Sequence, residues 1–98
     1  MRNMHRHTAT TASTSYRCEN NGTTTPTAGG SPATTQPGTR VTYVFMNNTG
    51  ILCFNSTFAT AESIFVPANV WINLGPTDLS VLQYRVSVNS TEVSFMQE

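Results

Sequence analysis

Two histidines, two cysteines and five acidic residues are the side chains of this 98-residue chain with the widest chemical range. His5 and His7 lie one residue apart, and with Cys18 they offer two nitrogens and a sulfur to a metal ion. A ligand set must be held in place, and a His-x-His pair on a flexible tail is not. Nucleophilic catalysis needs a base within hydrogen-bond reach of a serine or cysteine. Residues 41–98 contain no histidine. Glu62, Asp78, Glu92 and Glu98 are scattered, and nothing in their spacing makes two converge as a carboxylate-pair hydrolase requires. The expectation is therefore a non-enzymatic chain with no catalytic residue, cofactor or metal site. Trp71 would suit sugar stacking if it were exposed, but between Val70 and Ile72 it reads as core.

Asparagine carries the remaining chemistry. Asn21-Gly22-Thr23, Asn47-Asn48-Thr49, Asn55-Ser56-Thr57 and Asn89-Ser90-Thr91 all fit the N-glycosylation sequon, whose hydroxyl residue assists sugar transfer to the asparagine amide. Asn47 and Asn89 fall at predicted turns, where a sugar can point into water. Asn55 lies inside an apolar run and is an acceptor only if its side chain faces outward. Cys18 and Cys53 would close a loop of about 35 residues, worth roughly 3–4 kcal/mol in the chain-entropy model. The alternatives are partners outside this stretch of sequence, or a Cys53 buried as a small apolar residue.

The elements that must position these groups divide unevenly. Residues 1–40 hold only 8 hydrophobic residues, whereas residues 41–98 hold 29. From Thr8 to Arg40, 14 of 33 positions are Ser or Thr, interspersed with proline and glycine. Such a segment buries too little apolar surface to offset its ordering entropy, so residues 1–40 are expected to be a disordered leader. It suits an O-glycosylated, mucin-like hinge or a plain linker equally. Five arginines, no lysine and a net charge of zero argue against nucleic-acid binding, which needs clustered cations. No apolar run reaches the roughly 18 residues of a membrane span. Membrane attachment is expected only through a segment outside this chain. The N-terminus has early positive charge but no apolar stretch after it, unlike a signal peptide. A fragment is expected; the chain taken as whole would remain cytosolic and unglycosylated.

Residues 41–98 form an all-β module of five or six short strands, expected to be an incomplete antiparallel sheet, prism or sandwich. Val41 to Met46 alternates Val41, Tyr43 and Phe45 with Val44 and Met46, and both faces should be partly buried. Asn47-Asn48-Thr49-Gly50 then turns the chain into the run from Ile51, which predicts a β-hairpin. Ile64–Val66 and 70–74 supply shorter strands before the turn at 75–78. Leu82, Tyr84, Val86 and Val88 alternate with Gln83, Arg85 and Ser87, the period of a strand with one wet face. Asn89-Ser90 and the strand from Thr91 to Met96 complete a second predicted hairpin. One helical turn at most is expected near 59–63.

The order of these features resembles a known family. A Thr/Pro hinge precedes Thr42-Tyr43-Val44-Phe45-Met46-Asn47-Asn48-Thr49-Gly50-Ile51-Leu52-Cys53. Later come Trp71-Ile72-Asn73-Leu74-Gly75-Pro76 and the terminal Val93-Ser94-Phe95. Over residues 42–96 this is similar to the luminal module of lysosome-associated membrane glycoproteins and macrosialin. The resemblance implies a glycan-shielded β-prism in the lysosomal or late-endosomal lumen, with a structural or protective role. That family pairs its strand cysteine with one after the Asn and Pro segment. Residues 75–90 hold none, so the likeness implies that Cys53 has lost its partner or that Cys18 has replaced it. A different expectation is an adhesion or immune-recognition module of a cell-surface or viral glycoprotein, in which exposed strand faces bind a partner.

Overall fold

The computed structural model describes residues 3–18, 25, 26, 28, 41–54 and 58–98. The chain is all-β, as its periodicity predicts. Its strands are β1 (Asn3–Ala9), β2 (Tyr16–Arg17), β3 (Val41–Met46), β4 (Gly50–Cys53), β5 (Ile64–Val66), β6 (Ile72–Pro76), β7 (Gln83–Val86) and β8 (Thr91–Gln97). They form two four-stranded sheets, in the orders β1-β8-β3-β6 and β2-β7-β4-β5, and every pairing is antiparallel. A 3-10 turn at Thr60–Glu62 fits the single helical turn expected there. A second, Leu79–Val81, begins where the Asp78 carboxylate accepts the Ser80 N–H at 2.9 Å.

The two sheets share one core. In β8 the alternation is complete: Thr91, Val93, Phe95 and Gln97 are buried, and the residues between them are half-buried. Val44 and Met46 of β3 turn inward beside them, and Leu52, Tyr84 and Val86 face them from the second sheet. The Tyr84 and Phe95 rings meet across the interface at 5.5 Å between centroids. Polar groups are buried beside these residues and find partners there: the Gln97 amide donates to Thr42 Oγ1 at 3.0 Å and to the Thr77 carbonyl at 2.8 Å.

Three expectations change. Residues 3–18 belong to the sandwich, although their composition reads as leader. β1 pairs with β8 from Asn3↔Gln97 to Ala9↔Thr91, and Ala9, Tyr16 and Cys18 enter the core. Alternation explains this: β1 needs only its inward residues to be compatible with burial, so Thr8 can face away from the core beside buried Ala9. The remainder of the expected leader, 19–24, 27 and 29–40, lies outside the described residues.

Neither predicted hairpin forms. β3 and β4 belong to different sheets, and so do β7 and β8; of the strands consecutive in sequence, only β4 and β5 pair. The turns occur where expected, but each carries the chain between layers. Both edges of β3 are taken by distant strands, β8 and β6. Asn47 then docks on β8, its Oδ1 accepting the Glu92 N–H at 2.9 Å and its own N–H donating to the Glu92 carbonyl at 3.1 Å. Gly50 starts β4 against Met46 Sδ, and a Cβ there would stand 2.7 Å from the Arg85 carbonyl oxygen. Only glycine fits so close an approach.

No disulfide joins Cys18 and Cys53, both of which are buried. Cys53 pairs with Gln83 on one side of β7, and Arg17, the residue before Cys18, pairs with Gln83 on the other, which puts two interstrand spacings, roughly 10 Å, between the cysteine Cα atoms. A disulfide tolerates no more than about 7 Å.

Candidate recognition surfaces

The residues singled out by their chemistry do not converge. The His7 side chain lies inside the sandwich, its Nδ1 3.0 Å from the Tyr84 hydroxyl and its ring edge-on to Phe95. His5 is on the same face of β1, and its Nε2 is buried with no hydrogen-bond partner. Among the described residues, no three His, Cys, Asp or Glu side chains gather as a metal-ligand set. Glu92 pairs with Arg6 at 2.8 Å on the outer face of the first sheet, and both side chains are exposed. Such a pair contributes at most about 1 kcal/mol.

Desolvation lowers the His5 pKa, and the neighbouring His7 lowers it further. The fold therefore favours neutral His5. As pH falls through the unfolded-state value near 6.5, the unfolded chain takes up this proton first, and stability is lost until the folded-state value is passed. Chemical denaturation between pH 7.5 and about 5 should show that decline, with a shallower slope in His5→Gln. A slope unchanged by the substitution would assign the pH dependence to other groups.

Of the four glycan acceptors, Asn21 and Asn55 lie outside the described residues. Asn47 is half-buried, with its side-chain oxygen committed to β8. Asn89 is exposed on the turn between β7 and β8, and its Oδ1 accepts the Ala12 N–H at 2.8 Å. N-linked sugars attach through the amide nitrogen, so this contact is compatible with a glycan at Asn89.

Both outer faces of the sandwich carry apolar side chains. On the first sheet, the register sets Met4 beside Met96, Met96 beside Tyr43, and Tyr43 beside Asn73. Phe45 and Ser94 form part of the adjoining row, where the Phe45 ring meets Trp71 at 5.3 Å. Trp71 is 46% exposed and Met4 61% exposed, so the tryptophan is not the core residue its neighbours suggest. The reason lies in the start of β6: Ile72 and Leu74 pack against the core, and alternation turns Trp71 and Asn73 the other way.

On the second sheet, the row across the outer face runs from Phe65 through Ile51 to Arg85. Arg85 Nε donates to Ser15 Oγ at 2.8 Å, and its guanidinium lies 4.1 Å from the centre of the Phe58 ring. Ser13, Thr49, Thr60 and Ser87 complete a cleft of about 330 Å³ over this row. Ser13 holds a left-handed backbone, φ 59°, and its N–H donates to the Val86 carbonyl at 2.9 Å. The one-wet-face reading of β7 is too simple, because Arg85 is half-buried and Gln83 is buried. A signal for this site is present in the sequence: Arg85 is the only cation in residues 41–98, and it sits in an apolar alternation. In comparisons with protein-family models, curated proteins and solved structures, nothing matches this chain.

Proposed function

We propose that the chain is a non-enzymatic recognition module of a cell-surface or luminal glycoprotein, with the outer face of the β1-β8-β3-β6 sheet as its binding surface. The observation that carries this reading is the half-exposed Trp71, its ring tilted against that of Phe45 on the face that also holds Tyr43, Met96 and exposed Met4. Aromatic and methionine side chains are enriched at the centres of protein interfaces, and tryptophan and tyrosine are frequent hot spots there. These side chains face away from the core, so the fold does not require their apolar character. The partner is a protein surface, with the Arg6–Glu92 pair at the polar rim.

The experiment uses fluorescent tetramers of the full chain, secreted from cultured cells and applied to a panel of cell lines. Saturable staining is expected. Trp71→Ser should reduce it at least about tenfold, as loss of a hot-spot residue does, with the thermal midpoint nearly unchanged. Absence of staining, or staining insensitive to Trp71→Ser and to Phe45→Ser, would overturn the assignment.

A second reading, a glycan-shielded structural module of the lysosomal lumen, draws its support from the exposed sequon at Asn89. Glycosidase digestion of the same secreted material tests it. A mobility shift that Asn89→Gln diminishes favours shielding; no shift removes that role.

A further inference from the structure

Arg85 is a half-buried cation that forms no ion pair with a carboxylate among the described residues. Its guanidinium is permanently charged and carries five N–H donors in a fixed planar fork. Ser15 takes the Nε–H, and the Phe58 face holds the plane of the group. Among the described residues, no hydrogen bond engages its two terminal amino groups, and Arg85 is one of the residues lining the cleft. We propose that this cleft binds a small monocarboxylate whose charged end pairs with Arg85 and whose apolar body lies against Ile51 and Phe65.

Charge, shape and size select that ligand. The guanidinium fork matches a carboxylate in bidentate geometry, and the attraction between the two charges is stronger where the arginine is partly out of water. Among the described residues Arg85 is the only charged one lining the cleft, which suits one negative charge better than the two of a phosphate at neutral pH. Ile51 and the 64% exposed Phe65 form apolar walls suited to a hydrocarbon body. A volume of about 330 Å³ limits the ligand to a small organic acid. The site is on the opposite layer from Trp71, so it does not depend on the recognition surface proposed above.

The test is titration of the isotope-labelled full chain, followed by NMR, with four probes: phenylacetate, its neutral isostere phenylacetamide, glucuronate and inorganic phosphate. Phenylacetate should saturate with a Kd on the order of 1 mM and shift the resonances of Ile51, Phe65 and Ser87 and the Arg85 Nε–H. Phenylacetamide should bind at least about tenfold more weakly, since it lacks the charge-assisted pair. Glucuronate and phosphate should also bind more weakly. Arg85→Gln should abolish the phenylacetate shifts. Phe65→Ser, at an exposed wall, should weaken phenylacetate binding even if Arg85→Gln fails to fold, whereas Trp71→Ser should leave it unchanged. Equal binding of the amide, tighter binding of glucuronate or phosphate, or no saturable shift with any probe would overturn the proposal.

Discussion

A chain beginning at residue 19 should fail to fold, whereas the full chain should melt cooperatively. Composition alone leads to the opposite expectation, because residues 1–40 look dispensable. In the structure, however, β1 supplies the partner of β8 along seven residue pairs, and removing it exposes a strand edge whose inward residues are Val93 and Phe95. The same deletion removes Ala9, Tyr16 and Cys18 from the core, together with buried His7. Each large apolar side chain transferred out of the core costs about 1.5–3 kcal/mol, and the lost ladder adds further cost. Small domains hold only about 5–15 kcal/mol in total. The combined loss is comparable to that reserve. Circular dichroism melts and amide dispersion in NMR spectra of 1–98 and 19–98 decide the matter. A cooperative transition of 19–98 within a few degrees of the full chain would show that β1 and β2 are not part of the folded unit.

The largest expected effect of a single substitution is at Tyr84. Its side chain is fully buried and meets three partners: the Tyr16 ring at 5.8 Å, the Phe95 ring at 5.5 Å, and His7, whose ring lies at 6.3 Å and whose Nδ1 is 3.0 Å from the Tyr84 hydroxyl. Those partners come from β2, β8 and β1, so the residue ties both sheets to the N-terminal strand. Tyr84→Ala should cost about 3–5 kcal/mol, the range for emptying a large aromatic site in a core. For a domain of this size that corresponds to a fall in Tm of roughly 15–30 °C. Tyr84→Phe keeps the ring and removes only the hydroxyl, and should cost about 1–2 kcal/mol. Urea titrations that share one m value measure both. A loss below about 1 kcal/mol for Tyr84→Ala would mean that the two layers are not locked through this residue.

The candidate surfaces were legible to different degrees. The exposed turn at Asn89 is legible in the sequence because turn chemistry is local: Asn and Ser tolerate the left-handed backbone that Ser90 adopts at φ 60°. Trp71 reads as core from its neighbours and is exposed instead, because neighbouring apolar residues signal burial only when they share a face. In a strand they do not; Ile72 and Trp71 point to opposite sides. The Arg85 cleft was not anticipated, since it depends on β4, β5 and β7 lying side by side and on Ser13 and Thr60 arriving from segments distant in sequence. The disulfide considered between Cys18 and Cys53 failed for a similar reason: sequence counts the residues between them, but only the sheet order reveals that β7 stands in the way.

By itself the sequence determined the strand class, most strand positions and the turns, because side-chain period, β-branching and turn residues act over two to six neighbouring positions. Tertiary structure alone decided which strands pair, that the turns after Met46 and Val86 change layers, and that a Thr-rich N-terminus completes a sheet. Those outcomes depend on hydrogen bonds between strands as far apart as β1 and β8 and on a core shared by both layers. No local pattern encodes a backbone edge's partner, and the choice falls to whichever arrangement buries Tyr84, Phe95 and Met46 together.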